Sequence, residues 1–402
     1  MAPESLREEA SPGRLTLPSL VMSRFALQPS TLLVGLLLLD IGGTFGLPIG
    51  VVGQLRTAAS IVGVVSALLM GALSVRYRHK SLLMGGLLVL VVSSIGCALS
   101  KSFAMMLLFN SLAGISTAMV APMTVALVAE HFALERRSGA IGWVIAGQSL
   151  AYVVGAPLIG FLAGYGGWRT PFLAFIMPSA FVALLLSQWG LATKSQPQPT
   201  AGGRSFLTGF NAILTNRSAV SCLLCFVLTM VGFQAVLLYM ASFFRQTFTL
   251  TTGVTSLIIL GSSIFYTLGS LGQGRLVSRL GRKRTAVLVN LLSSLCVILY
   301  VNIPSLLPVL LIFYLSALSS GAGFAAFQSL IVEQVPEYRG TLMSLTSAAN
   351  SLGTAIGAAL GGALLLNFSY GVFGVALGVI GIGAVGILHQ LVSDPTRAPG
   401  TP

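Results

Sequence analysis

The chain has 402 residues, 55% of them hydrophobic and only 8% charged, with a mean hydropathy of +0.93. Its 22 basic and nine acidic side chains are too few to cover a water-soluble fold of this size, and disorder is excluded because it requires low hydrophobicity. What remains is a polytopic membrane protein, in which a net charge of +13 reads as loop residues that set topology rather than as a nucleic-acid footprint.

Residues 1–24 are polar and read as a cytoplasmic tail; no small-residue cleavage site follows a short apolar core, so this is not a secretory signal. Apolar runs follow at about 31–51, 57–75, 81–100, 103–127, 139–163, 170–192, 218–243, 252–273, 285–302, 306–332, 341–366 and 371–392. They predict twelve transmembrane α-helices, too long and too weakly alternating for barrel strands. The stretch 193–217 begins as a Pro/Gly/Ser/Gln linker, and Phe206 to Leu214 predicts a short amphipathic helix on the membrane surface. The expected organisation is a cytoplasmic tail at 1–30, a six-helix bundle at 31–192, a cytoplasmic linker at 193–217, a second six-helix bundle at 218–392 and a tail at 393–402.

With the N-terminus inside and the helices alternating, eighteen of the basic residues fall inside, Arg24 among them. Only Arg56, Lys101, Arg169 and Arg245 fall outside. This bias predicts that both termini are cytoplasmic. The two halves also repeat. Arg76 and Arg279 follow the second and eighth helices at an offset of 203 residues, and Glu130 and Glu333 follow the fourth and tenth at the same offset. Gly155–Gly160 aligns with Gly357–Gly362 after a one-residue slip. Two parallel halves about an axis normal to the membrane are a transporter architecture. Cys97, Cys222, Cys225 and Cys296 all lie in apolar runs and read as small packing residues rather than redox or metal groups. The stretch Gly321-Ala-Gly323-x-x-Ala326 superficially matches a dinucleotide fingerprint, but no strand precedes it.

Four motifs carry a resemblance to the major facilitator superfamily over essentially all of 31–392. The loop after helix 2, which in that family reads G-x-L-a-D-r-x-G-r-k, is here Gly71-Ala-Leu73-Ser-Val75-Arg76-Tyr-Arg78-His79-Lys80, with Val75 at the acidic position and Arg78 at the second glycine. The copy from Gly274 to Lys283 is closer, with Ser278 replacing its acid. Helix 5 carries Gly155-Ala-Pro157-x-x-Gly160-x-x-x-Gly164, similar to the antiporter motif of the drug/proton branch. Helix 4 has Asn110 where that branch places an arginine, and Leu39-Asp40-x-x-x-Thr44-x-x-x-Pro48 resembles its first-helix motif. The resemblance implies a secondary active transporter of a cell (inner or plasma) membrane. It would export small amphipathic compounds in exchange for protons by alternating access, as a monomer and without a cofactor or resident metal.

Asp40 is the one acid in the middle of an apolar run. A carboxylate at bilayer depth costs about 2.5–3.5 kcal/mol on insertion scales, which marks Asp40 as the proton-coupling candidate. No basic residue is visible in the middle of a run to pair with it. If the resemblance holds, polar and aromatic groups on helices 1, 4, 7 and 10 line the substrate cavity: Thr44, Asn110, Gln234, Tyr239, Tyr314 and Phe324, with Gln148 and Tyr152 on helix 5 as secondary candidates. Arg76, Arg78, Glu130, Arg279, Arg282 and Glu333 would form a cytoplasmic gate of ion pairs. The small-residue stretches Gly155, Pro157, Gly160, Gly164 and Gly353, Gly357, Gly361 would be the surfaces on which the halves slide. The lack of a G-x-x-x-x-G-K-[ST] loop argues against an ATP-driven pump, and the lack of clustered catalytic groups argues against an intramembrane enzyme. The other transport reading is movement of a polar metabolite such as a sugar or nucleoside, by uniport if no relay exists.

Overall fold

The computed structural model describes residues 13–192 and 202–394, so the extreme tails and the Pro/Gln-rich part of the linker lie outside the described residues. Among the described residues all regular structure is helical: α1 Thr16–Leu36, α2 Leu38–Phe45, α3 Ile49–Val52, α4 Gln54–Arg76, α5 His79–Leu99, α6 Phe103–His131, α7 Leu134–Gly166, α8 Met177–Gly190, α9 Gly202–Thr215, α10 Arg217–Thr247, α11 Thr252–Leu280, α12 Arg282–Tyr300, α13 Leu306–Val332, α14 Arg339–Asn367 and α15 Tyr370–Leu391. Helices are what an apolar chain must form where no water can satisfy its peptide groups. Eleven of the segments are long and apolar enough to cross a membrane, and α1 with α2 makes a twelfth if read as one span bent by 62°.

The helix ends follow from local chemistry. Ser102, Asn216 and Thr251 each accept a hydrogen bond from the backbone N–H three residues on, at 3.2, 3.1 and 3.3 Å, and so cap α6, α10 and α11. Gly46 closes α2 in the left-handed region at φ 66°, and Pro48 then sets the extended entry to α3. Gly281 turns the chain between α11 and α12 at φ 82°, whereas the chain between α4 and α5 turns through Arg78 at φ −62°. A glycine is needed in one junction and not in the other, which accounts for Arg78 where the family motif has its second glycine.

Two boundaries differ from the sequence reading. The first helix begins at Thr16, not near 31, because its polar face has partners. Thr16 Oγ1 donates to the Gly190 carbonyl at 2.8 Å, Ser23 and Ser187 hydroxyls lie 3.2 Å apart, and Leu20, Ala26 and Leu27 enter the hydrophobic core. Arg24, assigned above to a tail, is therefore on the third turn of a packed helix. The run 31–51 is also not one helix; it is divided into the end of α1, α2 and α3. Before α8, Phe172–Ile176 is a π-helical segment, and the Ser94 hydroxyl takes up the Phe172 carbonyl at 2.6 Å.

The chain forms two compact units. The first takes the residues up to Leu32 and then those from Val62 to the linker; the second takes Leu33–Ile61 and the residues after the linker. Within the first, α5 and α6 pack most intimately: a Cβ at Gly86 would meet Val120 Cγ2 at 2.7 Å. Its core includes Leu83, Leu87, Val120, Leu127 and Val144. In the second, Cys222, Cys225, Phe226, Phe327 and Leu330 form the core with Ile213 of α9, so both cysteines of the C-x-x-C pair are packing residues.

The allocation of Leu33–Ile61 to the second unit has a steric basis. Gly35 lies against the α10 backbone, where a Cβ would meet the Leu237 carbonyl at 3.1 Å. Gly50 packs against α14, and a Cβ on Gly362 would meet the Gly50 carbonyl at 2.5 Å. The Tyr239 ring fills the space beside Gly53, Gly361 and Gly362, and its hydroxyl donates to the Ala358 carbonyl at 2.9 Å.

Candidate functional site

Asp40 stands in the first turn of α2, just past the 62° bend, and not in the middle of a straight helix. Its partner is Arg245, in the last turn of α10 at the end away from Arg217. The guanidinium engages the carboxylate through both nitrogens: Nη1 pairs with Oδ2, and Nη2 donates to Oδ1 at 3.0 Å. The Arg245 side chain is 15% exposed and that of Asp40 30%. The expectation that Asp40 lacks an ion-pair partner is thus corrected. A fork-to-fork arginine–carboxylate pair is directional as well as attractive, so it holds the α2 segment to α10. Thr44 donates to the Asp40 carbonyl at 2.9 Å and faces outward.

Inside the second unit, α10, α12, α13 and α15 surround a small recess of about 60 Å³. One wall is aromatic and sulfur-bearing, built from Phe226, Met230 and Phe233 of α10 with Phe324 and Phe327 of α13. The rings of Phe226 and Phe327 lie 5.6 Å apart. The lining also includes polar groups. Asn290, Ser293 and Ser294 of α12 face Ser316 and Ser320 of α13, and the Ser293 hydroxyl lies 2.7 Å from that of Ser320. Gly323 leaves room for the Asn290 side chain, whose Nδ2 donates to the Ala286 carbonyl at 2.8 Å. Such a recess suits an apolar body carrying one or two hydrogen-bonding groups.

Of the residues named from sequence as cavity-lining, Phe324 belongs to this recess. Tyr239 is fully buried between helices, with its hydroxyl satisfied. Tyr314 is half-buried and stacks on Phe265 at 5.1 Å. Asn110 is buried in the first unit; Gln148 and Tyr152 are half-buried there, and Gln234 is half-buried on α10. The polar wall of α12 was missed because that helix was not among those named. Its signal was the cluster Asn290, Ser293, Ser294 in an otherwise apolar run.

The charged helix ends are paired within each unit. In the first, Glu130 contacts His79 Nδ1, while Arg76 and Arg78 are exposed. Lys80 Nζ donates to the Gln188 and Leu191 carbonyls at 2.8 and 2.6 Å, satisfying the end of α8. In the second, Glu333 lies 3.7 Å from Arg282, and Arg279 is exposed. The glycines expected to slide are distributed differently. On α14, Gly353 and Gly361 face α10, where Cβ atoms would meet the Val227 carbonyl at 2.9 Å and Tyr239 Cε2 at 2.7 Å, and Gly357 faces the Val231 carbonyl. On α7, Gly155 faces Leu32, Gly160 is buried, Pro157 is half-buried and Gly164 is open. Among the described residues no group of three or more His, Cys, Asp or Glu side chains is placed to hold a metal ion.

The family model of the Major Facilitator Superfamily matches residues 20–263 and 223–402, and the chain belongs to that family. An uncharacterised transporter of the family from Bacillus subtilis (strain 168) is 26% identical over 94% of this chain and 96% of its own. Multidrug resistance protein 2 of the same organism is 24% identical over 85% of this chain and 87% of its own. Among solved structures, a D-xylose-proton symporter superposes with a TM-score of 0.78 at 16% identity, covering 95% of this chain and 98% of its own. A nucleoside transporter superposes with the same TM-score at 14% identity, covering 94% and 99%. The protein is therefore a multi-pass membrane transporter built on this family's fold.

Proposed function

We propose that the protein exports small amphipathic compounds in exchange for protons, by alternating access, from the cytoplasmic side of a cell (inner or plasma) membrane. The observation that carries this reading is the recess of the second unit, whose lining combines four phenylalanines and a methionine with serines and an asparagine. A pure sugar site would need more hydrogen-bonding groups, and a pure lipid site fewer. The likeness to a protein named for multidrug resistance supports the same class of substrate.

Coupling would run through Asp40. The carboxylate is matched by Arg245 while α2 is seated on α10. When α2 leaves α10, an uncompensated charge is costly in a low-dielectric setting, and a proton is the positive charge at hand. Arg245 and the proton would thus compete for one carboxylate, each favouring a different conformation. The charged ends at Glu130 with His79 and at Glu333 with Arg282 would bias the same equilibrium from the cytoplasmic side. Both termini would be cytoplasmic, and a single chain would suffice.

The test uses everted vesicles with an acid interior and a pH-sensitive dye. Lipophilic cations, anions, neutral drugs, sugars and nucleosides are added in turn to vesicles with the wild-type protein and with Asp40→Asn. Amphipathic compounds are expected to trigger proton release in the wild type and not in the variant. Release that persists in Asp40→Asn moves coupling to another group. Counterflow of a sugar or nucleoside without proton release replaces the reading with uniport of a polar metabolite.

A further inference from the structure

The recess of the second unit lies at the middle of its apolar spans and carries no charge. Asn290, Ser320 and Phe233 are each one residue from the midpoints of α12, α13 and α10, at positions 291, 319 and 232. Among the described residues no Asp, Glu, Lys, Arg or His side chain lines it. Asn290 is 6% exposed. One of its N–H groups is spent on the Ala286 carbonyl at 2.8 Å, whereas none of the hydrogen bonds among the described residues uses its Oδ1. That oxygen points to α13, where a Cβ on Gly323 would stand 2.8 Å from it. The Ser293 hydroxyl lies 2.7 Å from that of Ser320 and 3.4 Å from that of Ser316. Three hydroxyl protons serve two contacts, so one O–H remains to donate. The recess thus offers a buried acceptor and a donor in a volume of about 60 Å³, well below the roughly 150 Å³ of a cavity that holds a benzene ring.

A charge at that depth is costly unless a counter-charge meets it, and the lining supplies none. A buried acceptor without a donor is costly as well, and a group that both donates and accepts satisfies it. We propose that the recess is the head-group subsite for the exported compound. It takes a small neutral group with an O–H or N–H, such as a primary alcohol or amide, in preference to an ammonium or a carboxylate. The larger apolar body stays outside, since a ring does not fit the volume. Asn290 sets the preference, and Gly323 is the glycine that leaves it room. The inference rests on the export reading and narrows its substrate class to neutral amphiphiles.

The probes share one apolar body and differ in the head: 3-phenylpropan-1-ol, 3-phenylpropylammonium, 3-phenylpropanoate and, with no polar group, propylbenzene. Binding to the purified full chain in a neutral detergent is read near neutral pH as ligand-dependent thermal stabilisation at matched free concentrations. Transport is read as counterflow in proteoliposomes. In the wild type the alcohol is expected to bind at least about tenfold more tightly than the other three. Two hydrogen bonds separate it from the hydrocarbon, and an unmatched charge separates it from the ions. Asn290→Leu should bring the alcohol down to the level of propylbenzene. Asn290→Asp should lift the ammonium above the alcohol, a reversal that a merely structural role would not produce. The wild-type ranking tests the inference even if neither variant folds. Propylbenzene binding as well as the alcohol, an ion binding better than the alcohol, or an alcohol preference that survives Asn290→Leu each overturns it and leaves export intact. So does binding of none of the four by a protein whose vesicles still release protons when other amphipathic compounds are added. Counterflow of the alcohol without proton release sinks proton exchange and leaves the head-group subsite standing.

Discussion

Asp40 was legible in the sequence because it is the single acid in the middle of an apolar run. Arg245 was not, because it sits 205 residues away and reads as an ordinary flanking base until α2 is seen beside α10. Arg24 was misplaced for a related reason: Pro, Ser and Gln around it read as tail, whereas the structure supplies each hydroxyl with a partner inside the bundle. The Asp40–Arg245 pair has a consequence for stability. Hydrogen bonds to charged groups contribute about 1.5–3 kcal/mol when neither side is fully exposed. Arg245→Ala and Asp40→Ala should each lower the melting temperature of the purified protein. The exchange of the two residues, Asp40→Arg with Arg245→Asp, should recover at least half of the loss. Additive losses in the exchanged protein would show that the two groups do not depend on each other.

The helices themselves were legible from their apolar length, but the breaks within them were not. The junction of α11 and α12 turns on Gly281 at φ 82° and ψ 161°, a region nearly confined to glycine that costs a residue with a Cβ about 1–3 kcal/mol. Gly281→Ala should therefore lower thermal stability by that amount, whereas Arg78→Ala, at φ −62° in the other loop, should leave it within about 0.5 kcal/mol. The comparison separates backbone geometry from charge, because both loops are basic and only one needs the glycine. The close contact of α3 with α14 makes a stronger demand. A side chain at Gly362 would collide with the Gly50 backbone, which has no flexible end to give way. Gly362→Val is expected to displace α3 and, through it, the α2 segment that carries Asp40. Proton release triggered by substrate should fall more steeply in this variant than substrate binding measured by thermal shift. An equal fall in both would mean that the contact supports only the fold.

At the scale of the whole molecule, the sequence showed a chain of some eleven to twelve apolar spans, since that number depends on local composition. It did not show that Leu33–Ile61 packs with the helices after the linker. That allocation is made by Gly35, Gly50 and Gly53 against residues about 200 to 310 positions later, and no local pattern encodes such a pairing. Orientation in the membrane is different again. Helix packing is the same whichever side faces the cytoplasm, so orientation rests on the charges of the loops and helix ends, with seventeen basic residues assigned to one side, once Arg24 is set aside, and four to the other. The four native cysteines are buried, so the wild type should react little with a membrane-impermeant maleimide. Lys101, Arg78 and Arg284 are exposed and make suitable single-cysteine positions. Lys101→Cys should label in intact cells, and Arg78→Cys and Arg284→Cys only after permeabilisation. The reverse pattern would turn the molecule over. Glu130 and Glu333 would then gate the outer side, and Asp40 would meet protons from the cytoplasm, so the proposed direction of export would fall with the topology.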